Sequence, residues 1–280
     1  MAADKSVLRL MRYLTPDGAI TEEGCLAVIT AVQNAADVAQ THDIDELLAF
    51  ATSALREAQN GAELLDRVEH HTGVRLQVLS GEDEARLTFL AVRRWYGWSA
   101  ENLLLFDIGG GSLEIAAGAG EIPDVAVSLP LGAGRSTIGF LHTDPPLQTE
   151  VKALHEHARE VLAQAVGAFA EMRAPHHVVG SSKAIRSLAR LAGSTSDGVG
   201  SGDRLRLRRT ELGNWVPRLA RIPADARPAL PGITADRTFQ IVAGGIVLQE
   251  AMSAFRVDEL EVSPWALREG IILRYLDRLG

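Results

Sequence analysis

Two carboxylates, three consecutive glycines and a serine sit between two apolar runs in the stretch LLLFDIGGGSLEIAAG, Leu103 to Gly118. Asp107 precedes Gly109, Gly110 and Gly111, and Glu114 follows Ser112. Successive N–H groups in a glycine turn can converge on one anion, and the serine adds a hydroxyl donor. Glycines there leave no Cβ in a ligand's way and can take backbone angles closed to other residues. The flanking runs read as strands, which makes the glycines a hairpin tip toward which both acids project. Carboxylates beside a bound phosphate repel it unless a hard cation such as Mg²⁺ stands between them. The plain alternative is a tight turn with solvated acids. The spacing G-x-G-x-x-G is absent, because Leu113 and Glu114 follow the serine, and no G-K-[ST] occurs, which removes the dinucleotide and P-loop readings.

Further groups suited to chemistry lie elsewhere in the chain. SGEDEARLTF places Glu82, Asp83 and Glu84 at a helix start, where the helix dipole favours acids with or without a function. In ATSALREAQN, Thr52, Ser53 and Arg56 follow a buried strand, at the end where α/β folds place ligands. The Arg56 guanidinium can fork onto two phosphate oxygens. VVGSSKAIRSLA also runs strand, turn, helix. Its Gly180, Ser181, Ser182 and Lys183 either receive an anion at the helix N-terminus or form an ordinary cap with an exposed lysine. Arg268 and Glu269 in PWALREGII suit a salt-bridged surface. The histidines give no metal site: His155 and His157 do not share a helix face, and the adjacent pairs His70–His71 and His176–His177 lack a ligand-spaced Cys or carboxylate. DRLRLRRTEL, Asp203 to Leu212, reads as the solvated start of a helix, with docking of a polyanion as its alternative.

The elements that must position these groups alternate. Thr21 caps a helix reaching Gln40, with Cys25 on its apolar face. The strand ELLAFATS, the helix GAELLDRVEHHTG stopped by Gly73, and the strand RLQVLS follow, and then the helix EDEARLTFLAVRRWYGW. Two strands flank the glycines, and VAVSLPLGAG supplies a third. After Pro145 and Pro146 come a helix from Thr149 to Met172, the strand HHVVG, the helix SKAIRSLARLAG, a helical region before Pro217, an apolar helix from Ala235 to Phe255, the strand ELEVS and a last helix, WALREGIILRYLDRL. LAGSTSDGVGSGDR, Leu191 to Arg204, is the most loop-like stretch. This alternation predicts α/β layering in two units with a seam near residue 98. The 280 residues carry a net charge of −8, so no global positive field draws in nucleic acid. A single cysteine fits a reducing compartment, and no apolar run reaches the roughly 18 residues of a membrane span. The expected location is cytoplasmic.

Taken in order, ATSALREAQN, VLSGEDEARLTFLAV, FDIGGGSLE, VGSSKAIRSLA and SPWALREGIIL resemble the exopolyphosphatase / guanosine pentaphosphate phosphohydrolase family, from about Lys5 to the C-terminus. The resemblance implies an actin-like ATPase superfamily member with two ribonuclease H-like domains flanking a cleft, here residues 1–98 and 99–280, in a short form without further C-terminal helical domains. It implies that Glu84 is the catalytic carboxylate, that Gly109, Gly110, Gly111 and Ser112 form a phosphate loop, and that Asp107 and Glu114 bind a divalent metal, Mg²⁺ or Mn²⁺, or orient water. Arg56 matches an active-site arginine, and Ser182 and Lys183 belong to a further phosphate loop. That loop usually reads Gly-x-Ser-Gly-Thr; here Lys183 and Ala184 replace its last two residues, which favours an inorganic chain over a guanosine. Arg135 is a further candidate to hold the chain. The family often dimerises, which leaves a homodimer open, and the apolar helix near Ile241–Met252 suits either core or interface.

The family also opens with a strand ending in Asp-x-Gly-Ser-Asn-[Ser/Thr], the first phosphate loop, and then a second strand. Neither occurs here; KSVLRL looks like the family's third strand, so the first domain is expected to lack its N-terminal strands. Either the protein begins roughly thirty residues upstream, or the chain is a truncated, weakly folded and inactive form. The expected activity is hydrolysis of the terminal phosphoanhydride of inorganic polyphosphate. Its rivals are hydrolysis of guanosine pentaphosphate to the tetraphosphate, and binding of polyphosphate or an alarmone without turnover.

Overall fold

The computed structural model describes residues 8, 10–15, 17–42, 44, 46–194 and 204–280. The strand expected at KSVLRL lies outside the described residues apart from Leu8 and Leu10, as does the loop stretch Leu191–Arg204 apart from its two ends. The chain forms two compact units, Met1–Ser80 and Gly81–Gly280.

In the first unit, helix α1 (Glu22–Thr41) starts where expected: the Thr21 hydroxyl accepts from Gly24 N at 3.3 Å. Strand β1 (Phe50–Ala51) leads into the short helix α2 (Ser53–Arg56), and α3 (Gly61–Thr72) ends at Gly73 in the left-handed region, φ 69°. Strand β2 (Gln77–Val78) pairs with β1 in parallel. Ile20, Cys25, Val28, Ala51, Leu55, Leu64 and Val68 make the core, so the lone cysteine packs as an apolar residue. The expected strands ELLAFATS and RLQVLS contract to two residues each, because among the described residues each has only the other for a ladder partner.

The second unit opens with α4 (Gly81–Tyr96). The seam expected near residue 98 therefore falls inside this unit: Ala85, Phe89, Val92 and Tyr96 of α4 pack on Leu103, Leu105, Ala116 and Val179 of the sheet that follows. That sheet contains β3 (Leu103–Ile108), β4 (Leu113–Gly118), β5 (Val125–Leu129), β6 (His177–Gly180), β7 (Arg206–Arg208) and β8 (Glu259–Val262), in the order β5-β4-β3-β6-β8-β7. β3 pairs with β6 and β6 with β8 in parallel; β3–β4, β4–β5 and β7–β8 are antiparallel. The opposite face is covered by α5 (Ala133–Phe140), α6 (Gln148–Val166), α7 (Lys183–Leu191), α8 (Arg209–Leu219) and α9 (Ile241–Ala254), through such residues as Leu154, Leu162, Ile185, Val216 and Ile246. Helix α10 (Leu267–Leu279) packs on α4.

Three expectations change. The arginine run divides: Arg209–Leu212 open helix α8 as expected, while Arg206–Arg208 form the edge strand β7, whose Leu207 points into the core while Arg206 and Arg208 bond Glu259 of β8 at 3.2 and 3.0 Å. Cross-strand charge pairs and one buried leucine favour a strand over a helix there. Helix α8 runs through Pro217 and ends two residues later; the proline lacks the N–H that would continue the ladder. The apolar helix begins at Ile241 rather than Ala235, because turns hold residues 234–240. Its side chains are buried nearly throughout, which assigns α9 to the core.

The α4–α10 crossing fixes where α4 lies on the sheet. A Cβ on Gly270 would stand 1.9 Å from the carbonyl oxygen of Leu87, so only a glycine permits this approach of two helix backbones. Gly270→Ala is therefore expected to cost about 1–3 kcal/mol, read as a lower midpoint in urea; a midpoint equal to that of the unaltered protein would refute the contact.

Candidate active site

Side chains alternate along a strand, so Asp107 shares the face of Leu103 and Leu105, the face that α4 covers. Glu114 lies directly opposite Asp107 across the β3–β4 ladder, on the face of Ala116. Ser128 of β5 lies opposite Glu114 on the other side, and its hydroxyl donates to Glu114 Oε1 at 2.9 Å. Glu84, in the first turn of α4, is buried and near enough for its charge to act on Glu114. Fold and register thus bring Glu84, Asp107 and Glu114, far apart in sequence, to one end of one sheet face.

The glycine turn is the predicted hairpin tip. It closes with Gly109 N donating to Ser112 O at 2.9 Å. None of Gly109, Gly110 and Gly111 takes a positive φ, so the expected use of forbidden backbone angles is not what the turn needs. Space is. Gly132, just before α5, would with a Cβ come within 2.3 Å of Gly111 C and Ser112 N. That close approach lets Ala133 N and Arg135 N donate to the carbonyls of Gly109 and Gly110, both at 2.9 Å, while Arg135 Nε donates to Gly111 O at 2.7 Å. The start of α5 thus takes up the carbonyl side of the turn. Among the described residues, the N–H groups of Gly110, Gly111 and Ser112 donate to no backbone carbonyl. A turn whose carbonyls are occupied and whose N–H groups are not is suited to an anion.

Electrostatics sets this cluster apart. Burial raises the Asp107 carboxyl to about 6; the Ser181 hydroxyl beside it acts in the opposite sense, although it makes no hydrogen bond of full geometry. Burial, then the charge of Asp107, raises Glu114 to about 8, with Glu84 adding to the rise and the hydroxyls of Ser112 and Ser128 opposing it. Two other acids, the buried Glu250 and the part-buried Glu261, behave differently. Burial pushes Glu250 up, but bonds from His155 and Arg159 outweigh it, and Arg204 and Tyr96 do the same for Glu261; both end below the usual range. No basic side chain pairs with Asp107 or Glu114 among the described residues. Two opposed carboxylates without a basic partner, Glu114 buried and Asp107 part-buried, offer oxygen donors of the kind a hard divalent ion takes. Mg²⁺ is commonly held by only one or two carboxylates, with water and substrate phosphates completing its shell. In accord with that, no three His, Cys, Asp or Glu side chains are grouped to cage a metal among the described residues. The pair fits Mg²⁺ or Mn²⁺ on these grounds.

The remaining expected site residues divide. Ser112 is buried and bonded to Glu114. The Ser182 hydroxyl caps α7, accepting from Ile185 N at 3.0 Å, and Lys183 is exposed at the first residue of that helix. Arg56 belongs to the first compact unit, where its Nη1 donates to Leu79 O at 2.6 Å. Glu269 caps α10, its Oε2 accepting from Ala266 N at 2.9 Å, which leaves Arg268 and Glu269 as the structural pair expected. Sequence reasoning did not single out Ser128 or Gly132. Ser128 carries a signal, as the one polar residue in VAVSL; Gly132 carries none until the turn it touches is known.

The raised pair has a consequence for stability. Glu114 titrates near 4.5 when unfolded and about 8 when folded, so between those values the folded chain holds more protons. Stability from this group is full below about pH 4.5 and is lost as pH rises towards 8. In EDTA, Glu114→Gln is expected to raise the melting temperature relative to the unaltered protein, by a margin that grows across this window and levels off above it. A margin independent of pH would contradict the assignment.

The chain matches the Ppx/GppA phosphatase family over residues 1–279. It is 45% identical over 277 residues to exopolyphosphatase 1 of Mycobacterium tuberculosis, covering 99% of this chain and 80% of that protein, and 44% identical to exopolyphosphatase 1 of Mycobacterium leprae, covering 82% of that protein. Among solved structures it resembles an exopolyphosphatase-like protein with a TM-score of 0.85 at 26% identity, covering 98% of this chain and 91% of that one. The Aquifex aeolicus Ppx/GppA family member gives a TM-score of 0.76 at 26% identity, covering 98% of this chain and 88% of that one. The α/β fold, the glycine hairpin with its flanking acids and these matches together make the chain a member of the Ppx/GppA phosphatase family.

Proposed function

We propose that this chain is an exopolyphosphatase, which hydrolyses the terminal phosphoanhydride bond of inorganic polyphosphate. The observation that carries the reading is the placement of Glu84, Asp107 and Glu114 on one sheet face at the mouth of a glycine turn with N–H groups to spare. The mycobacterial relatives named exopolyphosphatase 1 lend it their substrate.

In this reading the N–H groups of Gly110, Gly111 and Ser112 bind oxygens of the terminal phosphoryl group. Asp107 and Glu114 hold the divalent ion, Mg²⁺ or Mn²⁺, which when bound supplies the positive charge that four closely spaced negative groups require. Glu84 accepts the proton of the attacking water at its carboxylate. It stands on a helix locked against α10, so its distance from the turn is set by packing rather than by a loop. Ser182, Lys183 and Arg135 are proposed to steady the rest of the polyanion. Phosphoryl transfer draws mainly on positioning and charge stabilisation, which is what a rigid turn and a fixed carboxylate provide. A cytoplasmic location is proposed from the lone, buried Cys25.

Phosphate release from polyphosphate tests the reading. Glu84→Gln keeps the size of the side chain and removes the base, and is expected to lower kcat about 10²–10⁴-fold with little change in KM. An undiminished kcat would end the assignment of the base. The same assay with guanosine pentaphosphate separates the two substrates of the family resemblance, and polyphosphate is expected to be the faster.

A further inference from the structure

Strands β5, β4 and β3 carry Ser128, Glu114 and Asp107 side by side in one row across the sheet. Glu114 is thus bracketed by a hydroxyl on one side and an acid on the other. Its two carboxylate oxygens are not equivalent. Oε1 accepts the Ser128 hydroxyl at 2.9 Å. Oε2 stands on the side of the turn, 3.9 Å from where a Cβ on Gly109 would lie. Glu114 is buried, so Oε1 has no bulk water to replace a lost partner.

We propose that Ser128 is a positioning residue for the reaction: by holding Oε1 it fixes the Glu114 carboxylate with Oε2 facing the glycine turn. The inference rests on the reading of Asp107 and Glu114 as the pair that holds the cation. A serine suits the task. Its Oγ is on a strand rather than a loop, and the strand pairing sets its height against Glu114. Ala126, two residues earlier on the same face, is part-buried against the core, so the Ser128 hydroxyl is the one polar side-chain group that β5 offers this row. Without Ser128 the carboxylate keeps, among the described residues, only the Ser112 hydroxyl, and nothing there then holds Oε1 away from the turn. Partners that orient a ligand in this way are worth about 10–100-fold in metal affinity.

The test is direct Mn²⁺ binding, read from the electron paramagnetic resonance signal of the free ion at fixed pH, with thermal melting and polyphosphate kinetics on the same samples. Ser128→Ala is expected to weaken Mn²⁺ binding about tenfold and to raise the Mn²⁺ concentration for half-maximal activity by a similar factor. The melting temperature should hold within a few degrees and the KM for polyphosphate should be unchanged. Ser128→Thr, which returns a hydroxyl at the same position, is expected to restore most of the affinity. If Ser128→Ala proves unstable, Ser128→Cys keeps the volume and weakens the donor, and carries the same expectation. Mn²⁺ affinity left intact by loss of the hydroxyl, while Glu114→Gln reduces it, would overturn the role of Ser128 and leave the cation pair standing. Affinity left intact by Glu114→Gln as well would overturn the cation pair, and the positioning role with it.

Discussion

Two acids stand directly opposite each other across the β3–β4 ladder, Glu114 buried and Asp107 part-buried, and this pairing is the constraint on which the site depends. Like charges directly opposite one another repel, and burial strengthens the repulsion by removing the water that would screen it. The register of β3 and β4 sets the backbone of Asp107 opposite that of Glu114. Protonation or a cation relieves the strain. Burial raises both groups, and the charge of Asp107 adds to the rise at Glu114.

Other acids of the same unit show that the fold resolves such burial when it has no use for it. Glu250, on α9, receives His155 at 2.6 Å and a fork from Arg159. Glu261, on β8, receives Arg204 at 2.7 Å and the Tyr96 hydroxyl at 2.9 Å. Arg94 ties Glu121 to Asp277 of α10. The chain is thus able to supply cations to buried and part-buried carboxylates, and at Asp107 and Glu114 it supplies hydroxyls instead. Hydroxyls orient a carboxylate without supplying a compensating charge.

Precision at the site comes from two close backbone approaches. Gly132 brings the start of α5 onto the carbonyl side of the turn, and Gly270 brings α10 onto α4 at Leu87. In both places a single methyl group would push apart the elements that carry opposite sides of the chemistry. Packed cores do not yield smoothly to added volume, so each approach acts as a stop. The glycines between Asp107 and Glu114 take no positive φ.

The sequence by itself determined the chemistry-bearing segments and most of the elements. FDIGGGSLE announced a hairpin with two acids, Thr21 and Gly73 marked helix ends by capping and by left-handed geometry, and helical spacing placed Cys25 on the apolar face of α1; these signals are local, set by propensity and by period. What the sequence could not decide was anything that depends on which strand lies beside which. β7 read as a helix start because its partner acids, Glu259 and Glu261, lie some fifty residues away. The strands of the first unit read longer than they are, because ladder length depends on a neighbour. Glu84 came from resemblance alone, and only the packing of α4 brought its charge to bear on Glu114. Ser128 and Gly132 acquired meaning only in three dimensions, since one works through a cross-strand register and the other through a backbone contact, and neither relation leaves a periodic trace along the chain.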